Sequence, residues 1–126
     1  MTLILDSGAL VALERADRAM WRRFKAALFA GEIPVSHGGA VGQVWRGRGP
    51  RQALLAKVLA GLDIRALDED LGRAAGVLLA RARKSDVVDA AVVLLAEDGD
   101  QIVTSDLDDV GSLAAVSGRH VELIRA

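Results

Sequence analysis

Ser85-Asp86-Val87-Val88-Asp89-Ala90-Ala91-Val92-Val93-Leu94-Leu95-Ala96, with Gln101-Ile102-Val103-Thr104-Ser105-Asp106-Leu107-Asp108-Asp109 close behind, is the stretch whose reading decides the fold. Val87–Ala96 is apolar on nearly every face, the pattern of a buried helix, and Gln101–Thr104 reads as a short strand after the turn Glu97-Asp98-Gly99-Asp100. Residues 85–109 hold eight carboxylates (Asp86, Asp89, Glu97, Asp98, Asp100, Asp106, Asp108, Asp109) and no Lys or Arg. Asp86 and Asp89 stand one turn apart at a helix start, and Asp106 stands just past a strand end. Carboxylates brought together there repel one another unless protonated or bridged by a cation. Two readings stay open on these residues alone. One is a divalent-metal site; the other is capping, with Ser85 and Ser105 as N-caps and first-turn Asp residues complementing the helix dipole.

Outward from that stretch, strands and helices alternate. Thr2–Leu5 is a β-type run ending at Asp6, and Ser7-Gly8 turns into a helix over Ala9–Glu14. A helix over Asp17–Ala30 follows, then a strand at Ile33-Pro34-Val35 and the loop Ser36-His37-Gly38-Gly39. Helices over 40–46 and 51–59 flank the breaker Gly47-Arg48-Gly49-Pro50, and Asp63–Ala66 is a third strand. An amphipathic helix over Asp68–Arg83 leads into the acidic stretch; a short helix over Asp108–Val116 and a strand over Val121–Ile124 close the chain. Short apolar strands separated by helices predict an α/β fold of three αβα layers, around a five-stranded, mainly parallel sheet with right-handed crossovers. Ligands of such sheets collect beyond the carboxyl ends of the strands where strand order reverses. If the first and fourth strands are neighbours there, Asp6 and Asp106 meet and Asp89 can join them. Capping accounts for Asp86 or Asp108 but not for an Asp directly after the first strand, which favours a site.

Length and composition narrow the rest. A chain of 126 residues is a single domain, 1–126, able to bury about two-thirds of the surface its unfolded chain exposes. Hydrophobic residues make up 52% of it, which argues against disorder. The apolar run Ala90–Ala96 is far short of a membrane span and the first residues lack a basic leader, so a soluble cytoplasmic protein is expected. The absence of Cys excludes disulfides, thiolate zinc sites and cysteine nucleophiles, leaving oxygen ligands. His37 and His120 are too few and too separated for an imidazole site and read as ordinary loop or strand-edge residues. The net charge of −1 hides an asymmetry: residues 15–57 carry Arg15, Arg18, Arg22, Arg23, Lys25, Arg46, Arg48, Arg51 and Lys57 against only Asp17 and Glu32. One region can meet phosphates while another holds metal.

Leu5-Asp6-Ser7-Gly8-Ala9-Leu10, Ser85-Asp86-Val87-Val88-Asp89-Ala90 and Val103-Thr104-Ser105-Asp106-Leu107-Asp108-Asp109 together resemble the motifs of the PIN-domain family, in particular the VapC-type toxins of toxin–antitoxin pairs. Gln43-Val44-Trp45-Arg46 and Gly49-Pro50-Arg51 resemble that group's middle segment, so the likeness spans the whole chain. The resemblance implies a metal-dependent endoribonuclease with an acidic pocket for Mg²⁺ or Mn²⁺. By position, Asp6, Asp89 and Asp106 match the family's acids, Asp109 sits where a further acid is often found, and Asp86 is a neighbouring candidate ligand. Gln43 stands where these nucleases commonly carry Glu. Its carboxamide can offer a neutral oxygen or orient water but removes one negative charge. Glu14 and Asp86 are acids that could compensate.

On that reading, Asp6, Asp89 and Asp106 hold the metal, Ser7 or Ser105 positions water or phosphate, and the leaving oxygen departs as a 3′-hydroxyl. Arg15, Arg22, Arg46, Arg48 or Arg51 would contact the RNA backbone, while Trp21 and Trp45 read as core or interface residues. The resemblance also implies a cognate antitoxin, with Leu10, Leu13, Trp21 and Phe24 readable either as groove candidates or as ordinary core residues, and a homodimer. Two alternatives remain: a PIN-fold binding module weakened in catalysis by Gln43, and a receiver-type phospho-acceptor domain. The latter fits poorly, because Asp6 has no paired acid and no Lys follows Lys84.

Overall fold

The computed structural model describes residues 1–126. In chain order the elements are β1 (Leu3–Leu5), α1 (Ser7–Glu14), α2 (Arg18–Phe29), β2 (Val35–His37), α3 (Gly38–Val44), α4 (Pro50–Ala60), β3 (Asp63–Arg65), α5 (Glu69–Ala82), α6 (Val87–Leu95), β4 (Gln101–Thr104), α7 (Leu107–Ser117) and β5 (Glu122–Arg125). All were expected from the sequence, and the shifted boundaries have local causes. Helix α1 starts at Ser7 because the Asp6 carboxylate accepts from Ala9 N, and α3 starts at Gly38 because the His37 ring accepts from Gly39 N. Strand β2 lies two residues later than expected. Pro34 has no N–H for the ladder, and pairing begins at Val35.

The sheet is entirely parallel, in the order β3-β2-β1-β4-β5. Strands β1 and β4 pair with Leu3 opposite Gln101, Ile4 opposite Ile102 and Leu5 opposite Val103, so the first and fourth strands are the neighbours at the switch point. The receiver alternative calls for the order 2-1-3-4-5, which this sheet does not have.

Successive strand residues face opposite layers, as the period of two requires. Leu3, Leu5 and Val103 pack with Leu10, Leu13, Phe24, Leu55 and Val58 from α1, α2 and α4. Ile4, Val35 and Ile102 pack with Leu78, Val92, Val93, Val110 and Leu113 from α5, α6 and α7. These are the three layers. Each fully buried aliphatic side chain contributes about 1.5–3 kcal/mol. The three ion pairs have side chains at least a third exposed, where a pair is worth about 0–1 kcal/mol, so burial holds the fold. In helix α6, Ala90, Ala91, Val92 and Val93 are all sealed from solvent. No helix is long and apolar enough to cross a membrane.

Candidate metal centre

Each expected acid lies beyond the carboxyl ends of β1 and β4, at the start of a helix. Asp6 ends β1 and is buried, with one oxygen accepting from Ala9 N at 2.8 Å and the other from Ser105 N at 3.2 Å. It therefore caps α1 and fastens that helix to the β4–α7 turn, a capping role the sequence reading had not given it. Burial raises its pKa, while hydrogen bonds from the Thr104 hydroxyl and from the amides of Ala9, Ser105 and Gly8 act the other way. The close approach depends on Gly8: a Cβ there would fall 2.2 Å from Ser105 Oγ.

Asp86, rather than Ser85, caps α6, accepting from Val88 N at 2.9 Å and Asp89 N at 3.1 Å. Asp106, rather than Ser105, caps α7 by accepting from Asp109 N at 3.0 Å, while its own N–H donates to Thr104 Oγ1 at 2.9 Å. These caps leave room for a second function. Asp89, Asp106 and Asp109 each bring a carboxylate oxygen within 4.8 Å of the others, a spacing that one metal ion can bridge. Hard oxygen donors of this kind suit Mg²⁺ or Mn²⁺.

The electrostatics fit a cation as well. Asp89 is pushed up to about 6, first by burial and then by the charges of Asp86, Asp6, Asp106 and Asp109. Asp109 is held below the usual carboxylate range by Lys84, whose ammonium donates to it at 2.8 Å. A hollow of about 300 Å³ lined by Lys84, Ser85, Asp86, Asp89 and Asp109 opens on this cluster. A larger cavity of about 610 Å³ lies against Ser7, Gly8, Arg15, Gln43, Val44 and Ser105. It holds none of the converging acids, and the smaller hollow is the candidate metal centre. Gln43 is exposed and belongs to the larger cavity.

Several surrounding residues take other places than the sequence suggested. His37 is fully buried at the end of β2. Its Nδ1 accepts from Gly39 N and its Nε2 donates to Val88 O, both at 3.0 Å, which fixes a neutral ring, and burial lowers its pKa. It thereby ties β2 to the residue before Asp89. Leu10, Leu13 and Phe24 are core residues and offer no open groove. Trp21 packs edge-on against Phe24 and donates Nε1–H to Leu13 O at 2.9 Å. Arg46 turns its guanidinium back onto the carbonyls of Gly42, Gln43 and Trp45, closing α3. Trp45, read as a core or interface residue, is 40% exposed and so is not part of the core. Glu14 accepts from Gln52 Nε2 at 3.2 Å, and Gln52 also braces the 46–47 loop through its side-chain oxygen. Lys84, His37, Thr104 and Gln52 are thus the contributors that sequence reasoning missed. Only Lys84, bordering the acidic run, left a visible signal.

No family model matches this chain, and no curated protein matches it. Among solved structures it is similar to a chain in the crystal structure of VapBC2 from Rickettsia felis bound to a DNA fragment from their promoter. The TM-score is 0.71 and the identity 11%, over 98% of both chains. That likeness is one of architecture: the chain has a three-layer αβα fold of the PIN-like kind.

Proposed function

We propose that this chain is a Mg²⁺- or Mn²⁺-dependent endoribonuclease and the toxin member of a two-protein toxin–antitoxin pair. The observation that carries the reading is the convergence of Asp89, Asp106 and Asp109 at the switch point of a PIN-like sheet. The fold shared with a chain of a VapBC complex supports it. Asp89, Asp106 and Asp109 would hold the ion, and buried Asp6 adds to the field felt by Asp89. Asp86 orients Asp89 by capping its helix.

A bound divalent ion would supply activation of the attacking water and charge neutralisation at the phosphoryl oxygens. The chain's own residues do the rest. Ser7 and Ser105 border the larger cavity and offer hydroxyls to the scissile phosphate, and Arg15 on the same wall meets the RNA backbone. Gln43 contributes an amide that donates and accepts but takes no proton. Water adds to phosphorus as the P–O3′ bond breaks, and the 3′ oxygen leaves as a hydroxyl. With the apolar faces of α1 and α2 spent on the core, an antitoxin binds over exposed side chains and shields this edge; a homodimer belongs to the same reading.

The test is cleavage of a mixed pool of structured RNAs by the purified chain in Mn²⁺ or Mg²⁺ against EDTA, with Asp89→Asn and Asp106→Asn alongside. Metal-dependent cutting lost in both variants is the expected result. Folded wild-type protein that cuts nothing yet binds its partner would favour the binding module that Gln43 suggests.

A further inference from the structure

Lys84 lies outside the acidic run but reaches into it. Helix α5 ends with Arg83 in the left-handed region at φ 56°, and the amides of Arg83 and Lys84 both donate to Leu79 O. This termination turns the chain so that Lys84 projects over the smaller hollow. Its Nζ donates to Asp109 Oδ1 at 2.8 Å, with the two side chains 34% and 46% exposed. The other two ion pairs, Arg65 with Asp63 and Arg73 with Glu69, lie away from the cluster. Arg83 also lines the hollow, but Lys84 is the cation that the fold ion-pairs with one of these acids.

We infer that Lys84 is a tethered competitor of the divalent ion, its ammonium holding Asp109 in the metal-free chain and releasing it when Asp109 joins Asp89 and Asp106 as a ligand. The inference rests on reading the acid cluster as a metal site. An ammonium and a divalent ion on one carboxylate repel each other, and that carboxylate's charge is divided between them. In the metal-free chain the ammonium offsets part of the repulsion among the acids. Metal binding removes the need for it, leaving Lys84 at the rim of the hollow. The competition lowers metal affinity without any change in the ligand set.

The experiment is an Mn²⁺ titration of the EDTA-treated, buffer-exchanged chain, with free Mn²⁺ followed by electron paramagnetic resonance. It compares wild type, Lys84→Met, Lys84→Gln, Lys84→Arg and Asp89→Asn, each checked for native circular dichroism. Both neutral variants should bind Mn²⁺ roughly three- to tenfold more tightly than wild type, a range set by a partly solvated charge. Lys84→Arg should stay near wild type. Equal or weaker binding by folded Lys84→Met and Lys84→Gln, with wild-type binding intact and lost in Asp89→Asn, overturns the Lys84 inference and leaves the metal site standing. Absence of Mn²⁺ binding in wild type and both neutral variants, or full binding by Asp89→Asn, removes the metal reading and this inference with it.

Discussion

Burial first, and then the charges of four neighbouring acids, together push the Asp89 carboxyl up to about 6. A folded-state pKa above the unfolded value means that the metal-free fold favours the protonated form. The associated stability is fully present below about 4 and is lost as pH rises through about 6. Asp89→Asn should therefore stabilise the metal-free chain at pH 8 by about 1 kcal/mol, a figure discounted for the side chain's partial solvation. The gain should fade toward pH 4, as thermal unfolding across that range would record; a pH-independent difference would contradict the assignment. In excess Mn²⁺ the order should reverse, because the ion binds the ionised wild-type site. Asp89 and Asp106 were legible because helix and strand periods bring them to element ends that meet if β1 and β4 are neighbours. The sequence grouped them with Asp6, whereas the close-spaced group has Asp109 as its third member, a position only the family resemblance had marked. The position of Asp6 directly after β1 was legible, but its cap on α1 was not, since Ser7 and Gly8 look like a turn. His37 gave no signal, because its role depends on the carbonyl of Val88, 51 residues away.

Helix boundaries carry much of the site. Asp6, Asp86 and Asp106 each satisfy otherwise unpaired amides at a helix start, so three N-termini are fixed by the same residue type that makes the pocket acidic. At the other end of an element, Arg83 occupies a left-handed conformation that glycine adopts at far lower cost. Arg83→Gly should stabilise the chain by up to about 1 kcal/mol, measured by urea unfolding with an unchanged m-value. Destabilisation would mean that the Arg83 side chain contributes more than its backbone strain costs. The strands and helices were readable from apolar periodicity. Their exact starts were not, because the side-chain caps of Asp6 and His37 and the missing N–H of Pro34 act one residue at a time.

At the scale of the whole molecule, strand order is what brings the acids together. With β1 and β4 adjacent, the two halves of the chain meet at one crevice, and acids from residue 6 to residue 109 share a field. The parallel three-layer arrangement was legible because short apolar strands alternate with helices, and the adjacency of β1 and β4 entered as a condition that the sheet meets. The sidedness of the basic region was less legible. Arg46 caps its own helix and Arg15 faces the larger cavity, distinctions that depend on where each side chain turns after the backbone is set. The same holds for the groove candidates, whose other reading was core packing: Leu10, Leu13 and Phe24 are buried and Trp21 is partly buried. The most direct measurement is the anomalous difference density of a crystal equilibrated with Mn²⁺. The account predicts a peak bonded to carboxylate oxygens of Asp89, Asp106 and Asp109, with Lys84 Nζ withdrawn from Asp109. Well-ordered crystals of a chain active in Mn²⁺ that show no peak among these three carboxylates would contradict it.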